Sequence, residues 1–211
     1  MGIKKDWYEI VSPKLFGSKV IGMTLSVDPR YLKARTIQAN TIDLMNDYSR
    51  FFIKINLQIE NIEGNKAYTK FIGHECMRDR VARMVQRKTR KVEIIEDVKT
   101  KDDVRVRIKT LVILSRRVNT SIKSKTRHKV AEIVQQKAAE TKFDDLIMSM
   151  ISGSLQKYIK DTVKKIYPIS GVEIRKSEVL IDRIKQTAKR QTKKVYAKTT
   201  TQGKKKGGKS Q

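Results

Sequence analysis

The apolar positions of the chain change period along its length. From residue 51 to 59 they alternate, with Phe51, Ile53, Ile55, Leu57 and Ile59 on one side and Phe52, Lys54, Asn56, Gln58 and Glu60 on the other. A period of two belongs to a strand with one buried face. Gly64-Asn65 supplies a turn, and 66–72 reads as the partner strand. A second hairpin is predicted over 92–98 and 104–114, turned at Lys101-Asp102-Asp103. Its second strand sends Val104, Val106 and Ile108 inward and Arg105, Arg107 and Lys109 outward. Shorter strands are predicted at 20–27, stopped by Asp28-Pro29, at 36–39 and at 172–181, with a helical turn at 41–46.

Elsewhere the period is that of a helix. Over 78–88, Met77, Val81, Met84 and Val85 form an inner stripe and Arg78, Arg80, Arg83, Arg87 and Lys88 an outer face. Three more helices follow. Val130, Ile133, Val134 and Ala138 mark the first; Phe143, Leu146, Ile147, Met150 and Ile151 mark the second, with Thr141 as N-cap. Gly153 ends that helix, and Ser154 caps a third carrying Leu155, Ile159, Val163 and Ile166, which Pro168 stops. Between strands and helices, residues 115–129 hold Arg116, Arg117, Lys123, Lys125, Arg127 and Lys129 and no acid, and read as a linker or RNA-facing loop.

The pattern predicts an α+β protein. A single body at 20–181 carries an antiparallel, barrel-like sheet with helices from 127–166 packed on it. An extended arm at 1–19 precedes it, and its Trp7 is expected to pack on the protein's own core. From 182 onward apolar periodicity is lost. That tail has eleven cations, Lys193, Lys194, Lys204, Lys205 and Lys206 among them, against one acid, and reads as basic and disordered until it meets RNA.

Charge sharpens this picture. The 211 residues include 48 Lys and Arg against 22 Asp and Glu, a formal charge of +26, which calls for a polyanionic partner. No run of apolar residues is long enough to span a membrane, and MGIKKDWYEI lacks the apolar stretch of a secretory signal. Cys76 is the one cysteine of the sequence, which suits a reducing compartment. The cations are not one run. They recur at Lys4 and Lys5, on the 78–88 helix, on the 105–109 strand, in 115–129, at Arg175 and Lys176, and in the tail. Dispersed Arg and Lys with 6 % aromatic residues suit phosphates spread over a large folded RNA better than a stacking platform for single strands.

Nothing in the sequence assembles a catalytic set. His74-Glu75-Cys76 would point alternately to opposite faces of a strand, and no HExxH, CxxC, Walker loop or nucleophile elbow occurs. Asp102-Asp103 and Asp144-Asp145 are explained by turn chemistry and a helix's first turn. No enzyme activity, metal, cofactor or small-molecule substrate is expected. A free RNA chaperone or nucleoid protein and a nucleic-acid-processing enzyme are the rival readings.

Several motifs, in register from about residue 4 to 180, resemble one family. They are Lys5-Asp6-Trp7-Tyr8 with Pro13 and Phe16, Asp43-Leu44 with Asn46-Asp47, and Thr69-Lys70-Phe71-Ile72-Gly73 followed by Arg78-Asp79-Arg80 and Met84-Val85. Ile166-Tyr167-Pro168 and Val172-Glu173-Ile174-Arg175-Lys176 complete the set. Together they are similar to the S3Ae family of small-subunit ribosomal proteins of archaea and eukaryotes. The long basic N-terminal extension of eukaryotic members is not seen, so the archaeal form is the nearer match. The resemblance implies a non-catalytic protein in cytoplasmic ribosomes. It would bind ribosomal RNA on the platform of the small subunit, beside other platform proteins and near the mRNA exit, with mRNA as a further partner.

Overall fold

A computed structural model describes residues 5–180. In chain order its elements are β1 (Asp6–Val11), β2 (Val20–Ser26), β3 (Thr36–Asn40), α1 (Thr41–Met45), β4 (Ile53–Glu63), β5 (Lys66–Cys76), α2 (Arg78–Met84), β6 (Arg90–Lys99) and β7 (Arg105–Leu114). Three helices, α3 (Thr120–Glu140), α4 (Phe143–Ser152) and α5 (Ser154–Val163), precede the last strand, β8 (Ile169–Val179).

The strand β5 organises the sheet. One edge pairs with β4 along its length, antiparallel. The other edge is shared by β1, which runs parallel to it at Lys66–Tyr68, and β8, antiparallel at Gly73–Glu75. Then β7 and β6 follow on β8, while β2 flanks β1 and β3 flanks β4. The sheet is therefore mixed and is not closed, where the sequence pattern predicts an antiparallel, barrel-like one. Periodicity reports burial, not partner or direction, and the parallel pairing comes from β1, inside the segment read as an arm.

The alternation of β4 holds from Ile53 to Ile59, all buried on one side. It does not reach Phe51. The chain there follows a 3-10 turn, so Phe51 is 52 % exposed and Phe52 is the buried ring. In β5, Asn56 faces Gly73 and Leu57 faces Phe71, which leaves Ile72 as an extra residue, a bulge. The inward set thus passes from Ala67, Thr69 and Phe71 to His74 and Cys76. In β7 the alternation ends at Lys109, where the register with β8 shifts, and Thr110 to Leu114 are all buried.

Three helical expectations need correction. The basic stretch 115–129 is not a loop beyond Asn119: α3 starts at Thr120. Its buried side there is Thr126, whose hydroxyl donates to the Ile122 carbonyl, continued by Val130, Ile133, Val134 and Ala138. A stripe opened by a threonine among lysines carries little apolar signal. Conversely, α2 ends at Met84. Val85 is extended and exposed, Lys88 is left-handed with φ 68°, and Val81 and Met84 are only half-buried. The N-cap of α4 is also not Thr141. Asp102, from the β6–β7 turn, accepts the Phe143 N–H at 3.0 Å. The main core lies between these helices and the sheet, and a smaller cluster of Tyr8, Leu32, Ile59 and Ala67 packs apart from it.

Candidate RNA-binding surface

The cations named from the sequence fall into two physical groups. The first is free. Lys5, before β1, is exposed. Arg78, Arg80 and Arg83 are exposed on α2, as are Arg87 and Lys88 in the turn after it. Arg116 and Arg117 are exposed in the short loop before α3, and Lys125 and Arg127 on its first turns, with Lys123 half-buried beside them. None of these has a carboxylate within ion-pair distance among the described residues. Helical geometry puts Lys123 and Arg127 four residues apart, so they project from one side of α3.

The second group is engaged. Arg107 forms a two-pronged pair with Asp97 across β6–β7 at 2.6 and 2.7 Å. Lys176 and Lys109 hold Glu178 at 2.7 and 3.7 Å. Lys91 and Arg175 hold Glu93 at 2.8 and 3.3 Å. These cations keep all three carboxyls below the usual carboxylate range, chiefly through hydrogen bonds from Lys91 to Glu93, Arg107 to Asp97 and Lys176 to Glu178. The outward face of β6, β7 and β8 is thus a lattice of ion pairs within and across strands, with Arg105 as the named cation there that lacks a described partner. Lys129 is likewise paired, with Glu132 at 2.8 Å. Lys4, Lys193, Lys194, Lys204, Lys205 and Lys206, with the whole expected tail from 182, lie outside the described residues.

The structure adds cations that sequence reasoning missed. Arg50, Lys157 and Lys160 join Arg80 and Arg83 around a cleft of about 390 Å³ between α2, α5 and the start of β8. Lys157 and Lys160 stand on the side of α5 away from Leu155, Ile159 and Val163, a basic amphipathic spacing that was readable. Arg50 carried no such signal: its guanidinium donates to the Ser152 carbonyl at 3.0 Å, a contact 102 residues away in sequence.

The His-Glu-Cys run is interior. His74 is fully buried, its Nδ1 2.6 Å from Ser177 Oγ, and burial pulls it down to about 4. Burial pushes the Cys76 thiol up to about 12, so it is not a nucleophile at neutral pH. Among the described residues no three His, Cys, Asp or Glu side chains converge as a metal site, and no helix is long and apolar enough to cross a membrane. Trp7, expected in the core, is 61 % exposed; the neighbouring Tyr8 is the buried ring. Strand alternation puts only one of the pair inside.

Residues 3–183 match the family model described as Ribosomal S3Ae family. The chain belongs to the Ribosomal S3Ae family. This is a family of ribosomal proteins, structural constituents rather than enzymes. Similar curated proteins are named small ribosomal subunit protein eS1. That of Aeropyrum pernix is 40 % identical over 180 residues, covering 83 % of this chain and 84 % of the relative. That of Methanobrevibacter smithii is 38 % identical over 177 residues, 84 % and 92 %. The Methanothermobacter thermautotrophicus protein is 38 % identical over 177 residues, 84 % and 91 %.

Several of the S3Ae-like motif residues have structural work in the fold. Asp43 accepts the Asn40 N–H at 3.4 Å, Leu44 is buried, Asn46 is left-handed at φ 55°, and Asp47 accepts the Ser49 N–H at 2.9 Å. Thr69 donates to the Val11 carbonyl at 2.8 Å, fastening β1 to β5. The Pro168 carbonyl accepts the Ser115 N–H at 3.1 Å.

Proposed function

We propose that this chain is a structural, non-catalytic component of the small ribosomal subunit that binds and stabilises ribosomal RNA. Its place is the platform near the mRNA exit, in cytoplasmic ribosomes, beside neighbouring platform proteins and within reach of mRNA. The observation that carries this reading is the set of exposed cations without carboxylate partners among the described residues on α2, the turn after it, the 115–119 loop and the start of α3. Within a ribosomal protein family, such scattered free cations suit phosphates of a folded RNA, read by backbone and shape. Lys5, Arg105 and the basic tail extend the same footing, and the ion-paired Arg107, Lys109, Lys129, Arg175 and Lys176 contribute less.

The test is association with the subunit itself. The protein should cosediment with small subunits through high-salt sucrose gradients, and ultraviolet crosslinking should yield ribosomal RNA positions near the 3′ end, joined to α2 and the 115–127 segment. Recovery at the top of the gradient, with crosslinks to unrelated RNAs, would identify a free RNA chaperone instead.

A further inference from the structure

The cleft between α2, α5 and β8 is concave and cation-rich, and it is built rather than incidental. The Arg80 guanidinium lies over the Phe52 ring at 4.7 Å and that of Arg50 at 5.9 Å, so both sit against one aromatic ring. Arg50 is further fixed on the Ser152 carbonyl, and Lys160 Nζ on the Ser170 carbonyl at 3.4 Å. Glycine makes the room. A Cβ at Gly153 would collide with the Arg50 guanidinium, and one at Gly171 would come within 2.9 Å of Met84 Cε. The start of α5 at Gly153 carries no side-chain cap, leaving the positive end of that helix at the cleft.

We propose that this cleft receives one phosphate, with its nucleotide, from an unpaired RNA segment. The proposal rests on the ribosomal RNA reading above. Five cations face a single carboxylate, Glu173, which lies at the floor bonded to Gln156 Nε2 at 3.3 Å and only 3 % exposed. A recess of about 390 Å³ has room for a nucleotide together with its phosphate, whereas a duplex keeps its bases stacked inside and offers the recess phosphate alone. Arg forks suit a tetrahedral phosphate with two free oxygens. An acidic peptide would offer carboxylates to the same forks, but the further exposed cations of α2 and the turn after it, Arg78, Arg87 and Lys88, favour a phosphodiester chain, whose charge repeats at every nucleotide.

The full-length protein is titrated with a fluorescent single-stranded hexauridylate and, separately, with an RNA duplex carrying the same number of phosphates. An unlabelled hexaglutamate peptide serves as competitor. Arg83→Gln with Lys157→Gln removes two cations whose side chains make no hydrogen bond among the described residues, and should lower single-strand affinity about tenfold or more while leaving duplex affinity within about twofold. Glu173→Gln keeps a partner for Gln156 and removes the charge under the cleft, so it should tighten the single strand. Equal losses on both RNAs would overturn the proposal in favour of diffuse surface charge, and displacement by hexaglutamate at lower concentration than by hexauridylate would make the cleft a peptide site. Cosedimentation with small subunits, retained by the double variant, separates failure of the cleft from failure of the wider reading.

Discussion

His74 on β5 and Ser177 on β8 meet at 2.6 Å with both side chains fully buried, and the same serine hydroxyl accepts the His74 backbone N–H at 3.1 Å. The contact pins the short β5–β8 pairing, which joins the β1–β5 half of the sheet to the β6–β8 half.

That burial gives the fold an acid sensitivity. The unfolded imidazole takes a proton near pH 6.5, and the folded one resists it down to about 4. The unfolded state therefore binds more protons in this window, and stability present above pH 6.5 is lost as pH falls towards 4, by about 3 kcal/mol in total. Glu173, raised by burial, acts in the opposite sense, gaining a proton earlier in the folded state. Glu93, Asp97 and Glu178, held low, lose their contribution only below the ordinary carboxylate range. Urea denaturation of His74→Asn from pH 7 to 4.5 should give a flatter pH dependence than the wild type, whatever its absolute stability. An unchanged slope would remove His74 as the sensing group.

Gly73 makes the same junction possible. It faces Glu178, and a Cβ there would strike the Ser177 carbonyl oxygen and come within 3.3 Å of the Glu178 Cα. The obstacle is backbone and cannot rotate aside. Gly73→Ala should cost about 2 kcal/mol or more, and hydrogen exchange should show the loss first at the β5–β8 amides. A melting temperature within a degree of wild type would mean that β8 can shift freely.

How much was legible follows from these particulars. The strands β4 and β5, the hairpin of β6 and β7, and the stripes of α4 and α5 were readable, because large apolar side chains repeat at one period. The parallel seat of β1 was not, because its partner lies more than fifty residues on. The start of α3 was hidden by Thr126, and the swap of Phe51 for Phe52 by a 3-10 turn that breaks the pleat. At the surface, charge was legible but engagement was not: Arg107 and Arg116 look alike in sequence, yet one is bound to Asp97 and the other faces water. Several of the motif residues that carry the family likeness mark turns, caps and close approaches.

Asp102 links the β6–β7 turn to α4 by accepting the Phe143 N–H, and Lys101 N–H donates to the Thr141 carbonyl at 3.1 Å beside it. No residue of α4's own N-terminus replaces that cap. Asp102→Ala should therefore destabilise the fold by about 1 kcal/mol, and Asp102→Asn, which keeps an acceptor, by less. Equal losses for the two variants would assign the effect to charge near the helix dipole rather than to the hydrogen bond.

The division between free and engaged cations leads to a salt test. Each phosphate that a cation neutralises releases condensed counterions, so the slope of log affinity against log salt counts contacts. Arg116 and Arg117 are exposed and without described carboxylate partners, and they should add counterion release in full. Arg107 already has Asp97 at 2.6 Å, and a phosphate would have to displace that carboxylate, so its net contribution is small. Replacing Arg116 and Arg117 with Gln should reduce the slope by about 1 to 2 on ribosomal RNA fragments, with little change in melting temperature. Arg107→Gln should leave the slope nearly unchanged and instead release Asp97 towards ordinary carboxylate behaviour, visible in its NMR titration. The reverse pattern, a large slope change for Arg107 and none for the arginine pair, would place RNA on the β6–β8 face and make its ion-pair lattice a closed form that opens on binding.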